Sequence, residues 1–159
     1  MSDRAIGQLL AMIDEGFDHR SWHGPTLRGS LRGVTLPSAL WRPAPRRHNI
    51  WEIVLHTAYW KYAVRRRLTG EKRGSFRLEG SNWFTVEETG ATDREWKAAI
   101  RLLEDEHQIL RTRVAALKAG EEQRQVRKGD TLAFIVRGIA AHDLYHAGQI
   151  QLLKRLMRV

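Results

Sequence analysis

The 159 residues predict an all-α protein, a four-helix bundle with long loops after its first and second helices. Three observations carry that prediction. Four separate stretches place apolar residues at steps of three and four, the period of one helix face. A capping residue opens each stretch, and Gly or Pro marks where the earlier ones stop. Histidines fall on the same stripes as the aliphatic residues, so several of these faces carry chemistry into the interior. Four helices with one apolar stripe each bury those stripes most cheaply against one another.

The first helix is capped by Ser2 or Asp3 and shows the face Ile6, Leu10, Ile13, Phe17. Gly16 weakens its end and Trp22-His23-Gly24-Pro25 breaks it. A loop-rich stretch follows to Pro45, with a helical turn from Pro37 to Trp41. Trp22 and Trp41 are costly to leave in water and are expected over the mouth of the core. Asn49 opens the second helix with Glu52 at the third position, a relative of the capping box. That helix runs to about Leu68, stops at Gly70, and carries Ile53, His56, Trp60 and Val64 on one face. Glu52, one turn before His56, is either the N-terminal acid of the helix or a group that orients the imidazole.

Residues 71–91 form a loop long for a compact domain, anchored by Phe76, Trp83 and Phe84, and such loops serve as lids or partner contacts. Thr92 and Glu95 make a capping box for the third helix. Its seam is Trp96, Ile100, Leu103, His107, Leu110, Val114, Leu117, and it ends near Gly120. Glu121 to Lys128 is a charged connector. Asp130 then caps the fourth helix, which extends to Arg158 with Ile135, Ile139, His142, His146, Ile150, Leu153 and Met157 along one face.

At 18.4 kDa the chain reads as one domain over residues 1–159, large enough to bury about 68–70% of its unfolded surface. It has no cysteine, which excludes disulfides, thiolate ligands and a cysteine nucleophile, and any thiol chemistry must use an external thiol. The opening Met1-Ser2-Asp3-Arg4 leads into an amphipathic stretch rather than a secretory segment, and no run approaches 18 apolar residues. The expectation is a soluble cytoplasmic protein with no membrane span. A net charge of +9 and a pI near 10.6 would suit an anionic partner. The cations lie scattered at helix ends and in loops, which favours a solvated surface over a nucleic-acid interface.

His142 and His146 are the sharpest signal. Residues at i and i+4 stand about 5–6 Å apart at Cβ, so two imidazoles can meet one ion at roughly 2.0–2.1 Å. Their nitrogens also need partners on a stripe that is otherwise apolar. His56 faces inward from the second helix and His107 from the third. Three neutral imidazoles with an open fourth position are the pattern of a catalytic zinc centre, and imidazole also suits nickel, iron or copper.

Four segments resemble the DinB/YfiT-like superfamily of metal-dependent enzymes: Trp22-His23-Gly24, the helix from Asn49 to Trp60, Asn82-Trp83-Phe84, and His142-Asp143-Leu144-Tyr145-His146-Ala147-Gly148-Gln149-Ile150. The resemblance implies a four-helix bundle, often a homodimer, with a divalent metal held by three histidines that land on His56, His142 and His146. Zinc and nickel head the list of metals. It implies thiol-dependent S-transfer or isomerisation with a low-molecular-weight thiol and an electrophile, or a hydrolase acting on a hydrolysable substrate. His107 has no counterpart and reads as a packing or rim residue. Asp143 is a candidate orienting carboxylate, acid/base group or flank salt bridge, and Tyr145 a packing residue or a site residue. His23, with Trp22, would line the pocket mouth if their loop folds back over the site.

Two rival readings exist. His142-Asp143-x-x-His146 mimics the His-Glu-x-x-His helix of metalloproteases, but Asp is one methylene short for the general base, and no strand offers a substrate edge. A non-catalytic helical module that binds nucleic acid or a partner protein would show affinity falling steeply with salt.

Overall fold

The computed structural model describes residues 2–157, with the side chains of residues 2 and 3 excepted, so the expected Ser2 or Asp3 cap and Arg158 lie outside the described residues. The elements run α1 (Ser2–Phe17), α2 (Leu27–Ser30), α3 (Leu36–Leu40), α4 (Ile50–Thr69), α5 (Asp93–Ala115), a 3₁₀ turn (Glu121–Gln123), β1 (Gln125–Arg127), β2 (Asp130–Thr131) and α6 (Leu132–Leu156). The four long helices form the predicted bundle. α4 packs along both α5 and α6, and α1 along α6 and α5. Among the described residues no helix is long and apolar enough to cross a membrane.

Helix starts follow the local chemistry closely. The Asn49 side chain accepts from the Glu52 N–H, and Thr92 with Glu95 forms the full reciprocal box. α4 ends on Gly70 at φ 75°, a left-handed position that favours glycine. The predicted turn near Pro37 is α3.

Five details differ from the sequence reading. Thr131, not Asp130, caps α6 by accepting from the Phe134 N–H. Asp130 is instead drawn into a two-stranded hairpin, where β1 pairs antiparallel with β2 and the Asp130 carboxylate is held by Arg127. The connector from Glu121 to Lys128 is therefore ordered as a 3₁₀ turn and a strand. α5 stops at Ala115, before Gly120, because the chain turns at Ala116 and brings Leu117 back against the core. α2 is a single turn, with Thr26 capping Gly29 and Leu27 fully buried, too short to show a period. Trp41 is half-buried against the core, but Trp22 is fully exposed at the tip of its loop and covers nothing.

The apolar interior comes in two parts. One joins the first half of α4 to the start of α5 and the end of α6 through Ile53, Val54, Trp96, Leu103 and Ile150. The other joins the far halves of α4 and α5 to α1 and the start of α6 through Ile13, Val64, Leu110, Val114 and Val136. Between them lies a buried polar layer. Lys61 and Asp143, both 0% exposed, form an ion pair across α4 and α6. Arg65 pairs with Glu106 across α4 and α5 at 3.2 Å. The Lys61 ammonium also sits 4.9 Å from the centre of the Phe17 ring, which stacks on His107 at 3.6 Å. Burial pushes the Asp143 carboxyl up, and the Lys61 charge pulls it back down.

Removing one half of a buried pair strands the other charge in a medium that cannot solvate it. Lys61→Met is expected to cost about 3–5 kcal/mol in urea unfolding, and Lys61→Met/Asp143→Leu to recover most of that. A double variant no better than the single one would show that the pair is not the source. His107 gives a second prediction. Burial, with Lys61 and Arg111 nearby, pushes its pKa down to about 2, against the ordinary 6.5. Below pH 6.5 the unfolded chain takes up a proton that the native state refuses, so stability falls as acid is added. His107→Phe is expected to flatten the pH dependence of unfolding between pH ~6 and ~4 by about 1.4 kcal/mol per pH unit. Parallel slopes for variant and parent would contradict a buried neutral imidazole.

Candidate metal centre

α4 delivers His56 and α6 delivers His142 and His146 to one edge of the polar layer. The Nε2 atom of His142 lies 3.1 Å from Nε2 of His56 and 3.1 Å from Nε2 of His146. Ligand atoms of all three lie within 4.8 Å of one another, and no other residue joins this group among those described. Four-coordinate ligands at roughly 2.0–2.1 Å from an ion stand about 3.3–3.4 Å apart, close to the two contacts that His142 makes.

Hydrogen bonding on the far side of two rings fixes which nitrogens can carry protons. Nδ1 of His56 lies 2.8 Å from the Asn82 carbonyl, which can only accept, so this nitrogen carries the hydrogen. Nδ1 of His146 lies 2.7 Å from Gln149 Oε1 and donates in the same way. In their neutral forms both rings therefore present an Nε2 lone pair. His142 can donate to at most one of them, and its own Nδ1 is buried without a partner. The protein alone cannot satisfy three converging nitrogens of this kind. A divalent cation can, and the donor set fits one.

The electrostatics keep the rings neutral. Burial, reinforced by the neighbouring histidines, pushes His142 down to about 3. Burial and His56 push His146 down to about 4 against the Gln149 contact. Burial also lowers His56, partly offset by the Asn82 carbonyl. Ligand imidazoles must be unprotonated, and these are.

A stack of rings and a carboxylate hold the His56 side of the site. Trp83 lies flat on His56 at 3.8 Å, and His48 lies flat on Trp83 at 3.7 Å. Nδ1 of His48 is 2.8 Å from Glu52, whose carboxylate also takes two bonds from Arg42 at 2.7 and 2.9 Å and one from the Val86 N–H at 3.1 Å. Burial would raise the Glu52 pKa, but Arg42, His48 and Val86 outweigh it and hold it low. Glu52 thus does not touch His56 and reaches it only through the His48–Trp83 stack. Asn82, in the left-handed region at φ 65°, turns its carbonyl to His56 and its side-chain oxygen to the Trp60 indole N–H at 2.9 Å. The 71–91 loop is therefore part of the site.

The remaining sequence candidates are placed as follows. Asp143 is turned into the core against Lys61, so it is neither on a flank nor a member of the ligand group. Tyr145 is 64% exposed, with its ring edge-on to His146 at 5.0 Å, and does not pack in the core. His23 sits on the exposed loop beside Trp22 and makes no ring contact with the triad among the described residues. His107 is 4% exposed, stacked on Phe17, and is a packing residue. Lys61 and Trp60 were not singled out for the site from sequence. A lysine facing inward on α4 carries no spacing signal of its own, whereas Trp60 lay on the α4 stripe in plain view.

The three-histidine cluster and its neutral rings fit a metal-dependent enzyme. No curated protein and no solved structure matches the chain. A family model described as DinB superfamily does match, over residues 21–150. That stretch contains His56, the Asn82-Trp83 loop, His142 and His146, and the chain belongs to the DinB superfamily.

Proposed function

We propose that this protein is a metal-dependent transferase that joins a low-molecular-weight thiol to an electrophile, with zinc or nickel held by His56, His142 and His146. The observation that carries the reading is the pair of Nε2 contacts at 3.1 Å, made by rings whose outer nitrogens are engaged elsewhere or orphaned. When bound, such an ion would act as a Lewis acid, bringing the pKa of a water at its open position down to about 7 and holding a thiol there as the thiolate.

The chain's own residues do the rest by positioning. The Asn82 carbonyl fixes the tautomer of His56, and a ring that donates from Nδ1 is a better donor at Nε2. The Gln149 amide does the same for His146. Trp83 covers one face of His56 and keeps water off it. With no cysteine in the chain, no internal thiol competes with the external one. In the transfer, the thiol sulfur forms the new carbon–sulfur bond, the leaving group departs with its electron pair, and the thiol proton goes to solvent.

Elemental analysis of the purified protein beside His142→Ala tests the site. The parent is expected to hold about one divalent ion per chain and the variant close to none, and equal metal content in both would remove the site. Gln149→Leu keeps all three imidazoles and is expected to weaken metal binding by roughly 10–100-fold in a chelator competition. Unchanged affinity would show that the amide does not support His146. With an aryl halide as electrophile, turnover should require added thiol and vanish on chelation while the far-ultraviolet circular dichroism persists. Chelator-sensitive cleavage of an ester without thiol would make the protein a hydrolase instead.

A further inference from the structure

Next to the triad lies a cavity of about 190 Å³ between α4, α6 and the hairpin. Its walls are largely apolar, with Val64, Phe134 and Ile139 prominent, and His142 forms part of the lining. Trp60 lines it too, with its ring 6.2 Å from the His142 ring, so the cavity and the histidine cluster share a wall.

One wall of this apolar space is a guanidinium. Arg67 lies 5.8 Å from the centre of the Trp60 ring and is half-buried. Its neighbours on α4 are committed: Arg65 to Glu106 and Glu71, Arg66 to the Glu71 carbonyl. Arg127, on the hairpin, is held by Asp130. Arg67 makes no hydrogen bond or ion pair among the described residues, and its only specific contact is the Trp60 face. Burial, with Arg127 and Arg66 close by, works against its charge, and Asp130 relieves that only in part. A half-buried guanidinium with five unused donors is well suited to one carboxylate, which it can meet two-on-two. Arg127 and Asp130 in the same wall offset each other, which leaves Arg67 as the one uncompensated charge and favours a monoanion over a phosphate dianion.

We infer that the substrate at this site is a small organic monocarboxylate, with its carboxylate on Arg67, its apolar body along Val64 and Ile139, and its reacting end at His142. This rests on the proposed metal centre for the identity of the reacting end, but the carboxylate anchor does not depend on the metal.

The probes are hexanoate and its neutral counterpart hexanamide, titrated into the full chain and followed by nuclear magnetic resonance shifts of the Trp60 indole. Each titration is run on metal-loaded and on chelator-treated protein. The parent should bind hexanoate about tenfold more tightly than hexanamide in both forms, the worth of one charge-assisted contact. Arg67→Gln should abolish that preference with metal content unchanged, and Arg67→Lys should restore part of it. A preference that survives Arg67→Gln, or no preference in the parent, overturns the inference. A preference present only in the metal-loaded form, and indifferent to Arg67, would mean that the carboxylate binds the ion: the anchor fails and the metal centre stands. Arg67-dependent selectivity in a protein that takes up no metal would do the reverse.

Discussion

Three imidazole Nε2 atoms converge in a buried site with at most one hydrogen among them, so at least one lone pair faces its neighbours with no proton to accept. That constraint organises the centre of the molecule. The Asn82 carbonyl and the Gln149 amide take the only hydrogens that His56 and His146 have, so neither ring can relieve the crowding by donating inward. Depressed pKa values close the other exit, because a proton on any ring would itself be a buried charge. Only His142 can still donate inward, and to one neighbour at most, so the protein alone leaves at least one of these lone pairs unmet.

The bundle carries a cost for this arrangement. Polar residues divide its core into two apolar parts, and Lys61 with Asp143 is a pair that hydrophobic residues of similar size would often match or better in stability. The pair joins α4 to α6, the same two helices that supply the ligands. An ion pair with one good partner on each side pins the relative register of two helices in a way that an aliphatic contact does not. His142 immediately precedes Asp143, so fixing Asp143 also fixes the backbone from which His142 projects. The stacking of Lys61 over Phe17 and of Phe17 on His107 extends this rigid layer to α1 and α5.

Much of this was readable from spacing alone. Helix faces repeat at a fixed period, so the stripes of α4, α5 and α6, the caps Asn49 and Thr92, and the three inward histidines were all visible as arithmetic. What was not visible depends on tertiary geometry. Asp130 looked like a cap because its type suits one, but Gly129 at φ 86° turns the chain into a hairpin first and leaves the cap to Thr131. Trp22 looked too apolar to expose, yet one aromatic at a loop tip has no neighbour to bury against. Glu52 looked close enough to orient His56. Its carboxylate instead answers to Arg42, His48 and Val86, groups 34 positions or fewer away in sequence and drawn from two loops, the one before α4 and the one after it.

The charge balance around the cluster points to the kind of ligand it would attract. A donor set of three neutral imidazoles leaves the full charge of a bound divalent ion uncompensated, unlike a set containing a carboxylate or thiolate. The acids nearby are already committed, Asp143 to Lys61 and Glu52 to Arg42. A positive site of this sort, walled by Trp60, Trp83 and aliphatic side chains, gains most from an anion brought in from outside, since the low polarity strengthens that attraction. In the proposed reading a thiolate would meet that demand at the ion, and a carboxylate the separate demand of Arg67 in the cavity wall. Arg67 and His142 line the same cavity, 5.8 and 6.2 Å from the Trp60 ring centre, so a molecule held at both would be oriented before any bond is made or broken.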